Sequence, residues 1–289
     1  MELQGSFVAV VTPFANGEVD YEALDRLVEY HIENGTDGIV PCGTTGESPT
    51  LSHEEHEQVI ERVIKQANGR VPVIAGTGSN NTAEAVRLTR FAEKAGADAA
   101  LLISPYYNKP EPEGMFRHFK AIADSADIPQ VLYNVPGRTG RTITIETVER
   151  LAEIPNIVAI KEASLSIEFA TEIARNTDMT ILSGEDSFTY PLMAVGAKGV
   201  ISVVANIAPK LMKKLTASYL AGDYEEARKM HLYLYPLCKA VFIETNPIPV
   251  KAGMAMMGLI GDEIRLPLSP LSKGKEPTLQ KVLEEYELL

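Results

Sequence analysis

Lys161 is the residue of this sequence whose type and place first suggest chemistry. It follows the apolar run 157–160, which is typical of a buried strand, and it precedes Glu162. Burial removes water from an ammonium group and so favours the neutral amine. A neutral lysine amine can attack a ketone and form a Schiff base, whose iminium withdraws electrons and lets the substrate become an enamine nucleophile. The alternative is a structural salt bridge with Glu162 or another acid.

The alternation of side chains along a strand predicts which neighbours share the surroundings of Lys161. If Lys161 points into the interior at the end of a strand, Ala159 and Ile157 point the same way. Ile160 and Val158 then face the helices that cover the sheet. The small Ala159 leaves room for the lysine stem, and the acid after the lysine points away from it.

Four further polar side chains follow or end other apolar runs and suit the same chemistry. Tyr133 lies in the run 130–135, where a phenol can relay protons, unless it is a core aromatic. Thr44 and Thr45 lie in the glycine-flanked turn GTTGES, whose hydroxyl and backbone N–H groups can hold a carboxylate or simply cap the next helix. Arg138 lies in a Pro-Gly turn and suits bidentate binding of a carboxylate, unless it is a surface arginine.

The remaining candidates do not indicate a metal site. His53 and His56 are three residues apart on a predicted helix, without an acidic partner set suited to a metal. Cys42 adjoins the GTTGES turn with no histidine near it in the sequence, and we interpret it as a small buried apolar side chain. We therefore expect neither a metal nor another cofactor.

Eight short apolar runs, bounded by Gly, Pro, Asn or Ser, are typical of parallel strands buried on both faces. They span residues 7–13, 38–43, 71–78, 99–105, 130–135, 157–163, 180–185 and 199–207. Amphipathic segments separate them, and one opens on Ser52 with Glu55 three residues later, which predicts a capping box. Eight such units predict a (β/α)8 TIM barrel. A doubly wound open sheet is the alternative, disfavoured because the dinucleotide-binding glycine pattern is missing.

A barrel brings residues that are distant in the sequence into one site, because its active site lies at the carboxyl ends of the strands. The candidates above end or follow the apolar runs and therefore belong at that end. After residue 223 the pattern is only helical. We predict a catalytic barrel over residues 1–223 and a C-terminal helical extension over residues 224–289.

The composition disfavours several classes of function. A net charge of −12 without basic clusters is unfavourable for binding nucleic acids or anionic membranes. No run approaches the roughly 20 apolar residues of a membrane helix, and the first apolar run lacks the preceding basic residues of a signal peptide. Two cysteines, Cys42 and Cys238, cannot form a disulfide framework. We therefore expect a cytoplasmic protein that binds neither nucleic acid nor membrane.

Six motifs in matching order resemble the dihydrodipicolinate synthase family, within the superfamily of N-acetylneuraminate lyases and class I pyruvate aldolases. The motifs are GTTGES at 43–48, SPYYNKP at 104–110, YNVPGRTG at 133–140, IKEAS at 160–164, GVISVVAN at 199–206 and ETNPIPVK at 244–251. The resemblance runs the whole length of the chain. It implies a lyase of lysine and diaminopimelate biosynthesis that condenses pyruvate with L-aspartate 4-semialdehyde to give 4-hydroxy-tetrahydrodipicolinate.

The resemblance also implies roles for the candidate residues in covalent chemistry and proton transfer. Pyruvate forms its Schiff base on Lys161, and Tyr133 donates and accepts protons. Thr44 and Tyr107 pass protons to Tyr133. Tyr107 comes from the neighbouring subunit of a homotetramer built as a dimer of dimers.

The binding of both substrates follows from the same resemblance. Thr45 binds the pyruvate carboxylate with main chain near Gly184 and Ile201, and Arg138 receives the carboxylate of the semialdehyde. The double threonine and Arg138 favour this synthase over a 2-keto-3-deoxy sugar-acid or N-acetylneuraminate-type aldolase, which is the alternative. A phosphate-binding barrel enzyme would need glycine-rich loops after the last two runs. A non-catalytic ligand sensor would not need a strand-end lysine facing a tyrosine.

Inhibition by lysine is a further expectation that the resemblance carries. The lysine-binding cleft between subunits in the family is matched by Ser48, His53, His56, Asn80, Glu84 and Tyr106. Glu84 can pair with the ligand ammonium, and His56 can hydrogen-bond to the ligand. Pro49 departs from the smaller residue common at its position, and ordinary polarity of a helix surface is the alternative interpretation.

Overall fold

Eight parallel strands form one sheet in the structure, a computed structural model that describes residues 3–289. The strands are β1 (Gly5–Ala9), β2 (Gly38–Val40), β3 (Ile74–Gly76), β4 (Ala99–Ile103), β5 (Gln130–Asn134), β6 (Ile157–Glu162), β7 (Thr180–Ser183) and β8 (Gly199–Ser202). Their order in the sheet is β2-β1-β8-β7-β6-β5-β4-β3. A parallel bridge between Ile39 and Val73 joins the two ends of the sheet. The closed barrel confirms the predicted (β/α)8 fold and rules out the open sheet.

Helices alternate with the strands and continue after the last of them. Within the described residues they are α1 (Tyr21–Glu33), α2 (His53–Ala67), α3 (Thr82–Ala95), α4 (Pro112–Ala123), α5 (Pro136–Thr139), α6 (Ile145–Ala152), α7 (Ile167–Asn176), α8 (Thr189–Ala194), α9 (Pro209–Leu220), α10 (Tyr224–Ala240), α11 (Ile248–Met256) and α12 (Glu276–Glu285). The predicted capping box of α2 is confirmed, because Glu55 N donates to Ser52 Oγ at 3.1 Å and Ser52 N donates to Glu55 Oε2 at 2.8 Å.

Strict alternation fails at the start of β6, where the strand carries a bulge. Its pairing with β5 shifts by one residue between Ile157 and Ala159, so Val158 is left without a partner. Ile157 consequently packs in the core between sheet and helices, and Val158 packs against the core inside the barrel. The prediction was wrong for both residues, because a bulge reverses the faces on one side of it. Ala159 faces inward and Ile160 outward, as predicted.

The sequence patterns missed two small elements near the carboxyl ends of the strands. A hairpin of the two short strands Phe14–Ala15 and Glu18–Val19 follows β1. Arg138 lies in the four-residue helix α5 and not in an irregular turn. Both elements are too short for hydrophobic periodicity to reveal them.

The C-terminal helices pack against the last helix of the barrel and against each other. Helix α10 lies along α9, and α12 packs on α10 and α11. Helix α11 also contacts the 3-10 turn Val204–Asn206 after β8, so the C-terminal region reaches the carboxyl ends of the strands. The division at residue 223 stays a prediction. No helix within residues 3–289 is long and apolar enough to cross a membrane.

Candidate active site

Lys161 on β6 faces Tyr133 on β5, and the two residues are direct partners across the strands. The Lys161 Nζ atom lies 4.2 Å from the centroid of the Tyr133 ring. Both residues are buried, with 6% of each exposed. Among the described residues, no carboxylate lies within salt-bridge distance of Lys161 Nζ. Lys161 therefore has a ring in place of an ion pair, and such a contact contributes only about 0.5–2 kcal/mol.

Glu162, the acid next to Lys161, is engaged on the other side of the strand. Its Oε2 accepts from Asn134 Nδ2 at 2.8 Å, and its Oε1 accepts from Ser164 N at 2.5 Å. Burial raises the pKa of Glu162, while these hydrogen bonds oppose the shift. The prediction that Glu162 points away from Lys161 is confirmed, and the salt-bridge alternative for this pair is excluded.

Gly184 after β7 leaves the space that the Lys161 side chain fills. A Cβ atom at Gly184 would lie 3.1 Å from both Cγ and Cε of Lys161 and 2.7 Å from Ala163 Cβ. Side chains do not approach so closely without displacement, so a glycine is required beside the lysine stem. Ile201 on β8 is buried inside the barrel in the same inner core as Tyr133.

Thr45 and Arg138 contact the same residue, Asn246, in the loop between α10 and α11. Asn246 Nδ2 donates to Thr45 Oγ1 at 3.0 Å, and Arg138 Nη2 donates to the Asn246 carbonyl oxygen at 3.0 Å. Thr45 and Asn246 are buried, whereas Arg138 is exposed. Asn246 belongs to the ETNPIPVK motif, but its residue type and position in the sequence alone suggest no role.

A buried ion pair between Glu47 and Lys251 holds the GTTGES turn in place. Glu47 has a left-handed backbone, with φ at +54°, and its Oε1 accepts from Lys251 Nζ at 2.6 Å. Lys251 Nζ also donates to the Thr12 carbonyl oxygen at 3.0 Å, and Arg265 N donates to Glu47 Oε2 at 3.1 Å. Burial lowers the pKa of Lys251, and the charge of Glu47 opposes this shift. The sequence signal for this pair is a lysine within the apolar helix α11.

One cavity of about 380 Å³ connects the candidate active site to the residues of the expected lysine site. Thr44, Tyr133 and Arg138 line one part of it. The lining also includes Ser48, Pro49, His53, His56, Glu84 and Tyr106. The structure therefore brings three residues of the first predicted group and five of the second to one continuous space, whereas Lys161, Thr45 and Asn80 are not among its lining residues.

Residues of the expected lysine site bind one another through several polar contacts. His53 Nε2 lies 3.3 Å from Glu84 Oε1, and Asn80 Nδ2 donates to the Tyr106 carbonyl oxygen at 3.1 Å. His56 Nε2 lies 2.7 Å from the Gly76 carbonyl oxygen, and burial lowers the pKa of His56. A neutral His56 that donates through Nε2 keeps Nδ1 as an acceptor.

Tyr107 and Cys42 lie near the site, but one is exposed to solvent and the other is a buried thiol. Tyr107 is 91% exposed, has a left-handed backbone with φ at +69°, and does not line the cavity of its own chain. Cys42 is buried, as predicted, and burial raises the pKa of its thiol. Cys42 is therefore unreactive, and Tyr107 faces outward. The candidates for chemistry inside the barrel are Lys161, Tyr133 and the threonines of the GTTGES turn.

Comparisons with known proteins agree with one another on the family. The model of the dihydrodipicolinate synthetase family matches residues 2–286. A 4-hydroxy-tetrahydrodipicolinate synthase from Pelobacter propionicus is 58% identical, with 99% of each chain covered. The crystal structure of dihydrodipicolinate synthase from Aquifex aeolicus is 52% identical with a TM-score of 0.98, again covering 99% of each chain.

Two similar solved structures contain small molecules. The chloride-inhibited dihydrodipicolinate synthase from Acinetobacter baumannii, complexed with pyruvate, is 49% identical with a TM-score of 0.97 over 100% of both chains. The enzyme from Cyanidioschyzon merolae with lysine bound is 40% identical with a TM-score of 0.96 over 99% of both chains.

Proposed function

The chain belongs to the dihydrodipicolinate synthetase family, and from this premise we propose how it condenses pyruvate with L-aspartate 4-semialdehyde. The product, 4-hydroxy-tetrahydrodipicolinate, belongs to lysine and diaminopimelate biosynthesis. One observation carries the mechanism: the buried amine of Lys161 faces Tyr133 and has no carboxylate partner among residues 3–289. A buried lysine with a structural role needs such a partner, whereas a nucleophilic lysine does not.

The reaction begins with attack of the Lys161 amine on the ketone carbon of pyruvate, and loss of water leaves an iminium. The iminium draws electrons from the methyl carbon, which loses a proton and becomes an enamine. The enamine carbon attacks the aldehyde carbon of the semialdehyde, whose oxygen takes up a proton. The amino group of the semialdehyde then attacks the iminium carbon, closes the ring and displaces the lysine amine.

Tyr133 moves the protons of these steps, because its phenol is on the strand next to the lysine and lines the cavity. Thr44 lines the same cavity and relays protons to Tyr133. Tyr107 is the second relay residue and acts in the site of a neighbouring subunit. Its 91% exposure supports this role, since the side chain is free to enter another chain's site.

The two substrate carboxylates occupy separate positions. Thr45 holds the pyruvate carboxylate, aided by main chain at Gly184, which lies beside the lysine stem, and at Ile201, which lies in the same inner core as Tyr133. Arg138 at the cavity rim receives the carboxylate of the semialdehyde, for which its planar guanidinium is suited. An aldehyde without a carboxylate would make no use of Arg138.

The choice of second substrate is tested by parallel rate assays. Pyruvate with aspartate semialdehyde is compared with pyruvate and glyceraldehyde, for the unaltered protein and for Arg138→Ala. We expect the semialdehyde reaction to dominate and to fall far more in the variant. Faster turnover of glyceraldehyde, unaffected by the substitution, would identify a sugar-acid aldolase instead.

We propose that lysine inhibits the enzyme by binding in the part of the cavity that is lined by Ser48, His53 and His56. Glu84 supplies the carboxylate for the ligand ammonium, and Tyr106 lines the same cavity and accepts at its carbonyl oxygen from Asn80 Nδ2. The similar Cyanidioschyzon merolae structure with lysine bound supports the assignment. We expect millimolar lysine to lower the steady-state rate, and Glu84→Gln to remove that effect. Rates unchanged by lysine in the unaltered protein would exclude inhibition.

We also propose a homotetramer built as a dimer of dimers and a cytoplasmic location. The exposed Tyr107 supports contact with at least one neighbouring chain. Mixing subunits tests the arrangement. We expect Tyr107→Ala and Lys161→Ala each to be inactive alone, whereas a hybrid contains sites with one intact lysine and one intact partner tyrosine. We expect partial recovery of activity on mixing. No recovery, despite proven exchange of subunits, would show that Tyr107 does not act between chains.

A further inference from the structure

We propose that Asn246 is a positioning residue that sets the direction of the Thr45 hydroxyl and thereby the affinity for pyruvate. The inference rests on the proposed role of Thr45 in binding the pyruvate carboxylate. Asn246 lies 201 residues from Thr45 in the chain, yet its Nδ2 donates to Thr45 Oγ1 at 3.0 Å. Both residues are nearly inaccessible to solvent, at 4% and 3% exposure.

The polarity of this hydrogen bond decides what Thr45 can offer to a substrate. A hydroxyl group has one proton and two acceptor lone pairs. Because the Asn246 amide donates to the hydroxyl oxygen, the hydroxyl proton has to point elsewhere and is available to a carboxylate. If Asn246 accepted the proton instead, Thr45 would present lone pairs to an anion and repel it.

The other amide atom of Asn246 makes no competing contact. Its Oδ1 atom is buried without a hydrogen-bond partner among the described residues. Within residues 3–289, the bond from Nδ2 to Thr45 is therefore the one hydrogen bond that the Asn246 side chain makes. A change of this side chain consequently acts first on Thr45.

Asn246 also binds Arg138, but through its backbone and not its side chain. The Asn246 carbonyl oxygen accepts from Arg138 Nη2 at 3.0 Å, and this contact survives any change of the Asn246 side chain. Substitution at Asn246 therefore acts on the pyruvate position through Thr45 and leaves the semialdehyde position at Arg138 intact. A merely structural role would disturb both positions alike.

The test measures the KM of each substrate separately for Asn246→Ala and Asn246→Asp. In Asn246→Ala the Thr45 hydroxyl is free to rotate, and we expect the pyruvate KM to rise about fivefold. In Asn246→Asp the new carboxylate accepts a hydrogen bond from the Thr45 hydroxyl and adds a negative charge near the pyruvate carboxylate. Because a hydrogen bond to a charged group contributes about 1.5–3 kcal/mol, we expect a rise on the order of 100-fold, with the semialdehyde KM changed less than twofold.

Thr45→Val provides the matched background, since it removes the hydroxyl and keeps the shape. There, Asn246→Ala should have no further effect on the pyruvate KM. Equal rises for both substrates, additive effects in the Thr45→Val background, or an Asp variant no weaker than the Ala variant would overturn the inference. Borohydride trapping at saturating pyruvate should succeed in every variant. Failure of trapping in the unaltered protein would defeat the Schiff-base mechanism itself and is distinguishable from these results.

Discussion

Lys161 and Lys251 are two buried lysines at the same end of the barrel with different partners. Lys161 Nζ lies 4.2 Å from the ring centroid of Tyr133, and Lys251 Nζ lies 4.3 Å from that of Phe14. Only Lys251 has a carboxylate, at 2.6 Å on Glu47. Both amines are therefore buried beside an aromatic ring, but a carboxylate lies next to the Lys251 amine alone.

The difference separates a structural cation from a reactive amine. Removing an ammonium from water costs several kcal/mol, and a buried carboxylate in good geometry offsets much of that cost. Lys251 has this compensation and holds the GTTGES turn in place. Lys161 has no such partner, so its amine contributes little to the stability of the fold. We interpret the lone amine as the one retained for chemistry.

The same substitution at the two lysines should give opposite phenotypes, and Lys161→Met gives the largest effect. Loss of the nucleophile should lower turnover by at least about 10⁴-fold. The free energy of unfolding should stay the same or rise, because a buried polar group without an anionic partner is replaced by an apolar side chain. Steady-state rates and urea unfolding at fixed protein concentration measure both. A folded variant with a tenth of normal activity would contradict the assignment.

Lys251→Met should instead destabilise the protein by about 3–5 kcal/mol, because Glu47 is left buried without its partner. Urea unfolding measures the loss. The double variant with Glu47→Gln removes the stranded charge and should recover at least half of it. A double variant as unstable as the single one would show that the ion pair is not the cause.

Tyr133→Phe keeps the ring beneath the Lys161 amine and removes only the hydroxyl. Proton transfer by a positioned side chain contributes about 10²–10⁴-fold, so we expect turnover to fall by about 10²–10³-fold. Pyruvate should still be trapped on the lysine, as the mass of the reduced protein will show. Normal turnover in Tyr133→Phe would exclude the tyrosine as the proton carrier.

His31 is a third buried basic residue, and it avoids the desolvation of a charge because it stays neutral in the folded protein. It is inaccessible to solvent, neither ring nitrogen has a partner, and burial lowers its pKa to about 3. The unfolded chain binds a proton near pH 6.5 and the folded chain does not. The free energy of unfolding therefore decreases as the pH falls below 6.5, and the decrease due to His31 is about 2 kcal/mol at pH 5.

His31→Leu removes that titration. Urea unfolding of the unaltered protein and the variant at pH 8 and pH 5 measures it. We expect the loss of stability between the two pH values to be about 2 kcal/mol smaller in the variant. An unchanged difference would mean that His31 is protonated in the folded protein.

Gly184→Ala should give the smallest effect, because the added Cβ lies 3.1 Å from two methylene carbons of Lys161 and 2.7 Å from Ala163 Cβ. A displaced lysine should form its adduct about tenfold more slowly, since reaction requires close alignment. Gly274→Ala is the matched control, because a Cβ there meets nothing within 4 Å. Equal rates of adduct formation in both variants would show that Gly184 is not needed for the lysine.

The sequence predicts the barrel because buried parallel strands appear as continuous apolar runs, and eight of them close the sheet. It predicts Lys161 and Tyr133 as neighbours because strand ends meet at one edge. The bulge at Val158 escapes prediction because it arises from the register of β6 against β5. A register is a property of two strands and is not encoded in the alternation of one.

The contacts of Asn246 and Lys251 escape prediction for a different reason. They join residues 201 and 204 positions apart, Asn246 to Thr45 and Lys251 to Glu47. Local periodicity contains no information on which loop a C-terminal helix will meet. The partners meet in the folded chain, where α11 packs beside the turn after β8 at the carboxyl ends of the strands.

The central claim is that the amine without a carboxylate is the nucleophile. Incubation with pyruvate and borohydride, proteolysis and peptide mass analysis test it at every lysine in one experiment. We predict one reduced adduct, located on Lys161, with Lys251 unmodified and no adduct in Lys161→Met. An adduct on another lysine, or one that survives the loss of Lys161, would contradict the account.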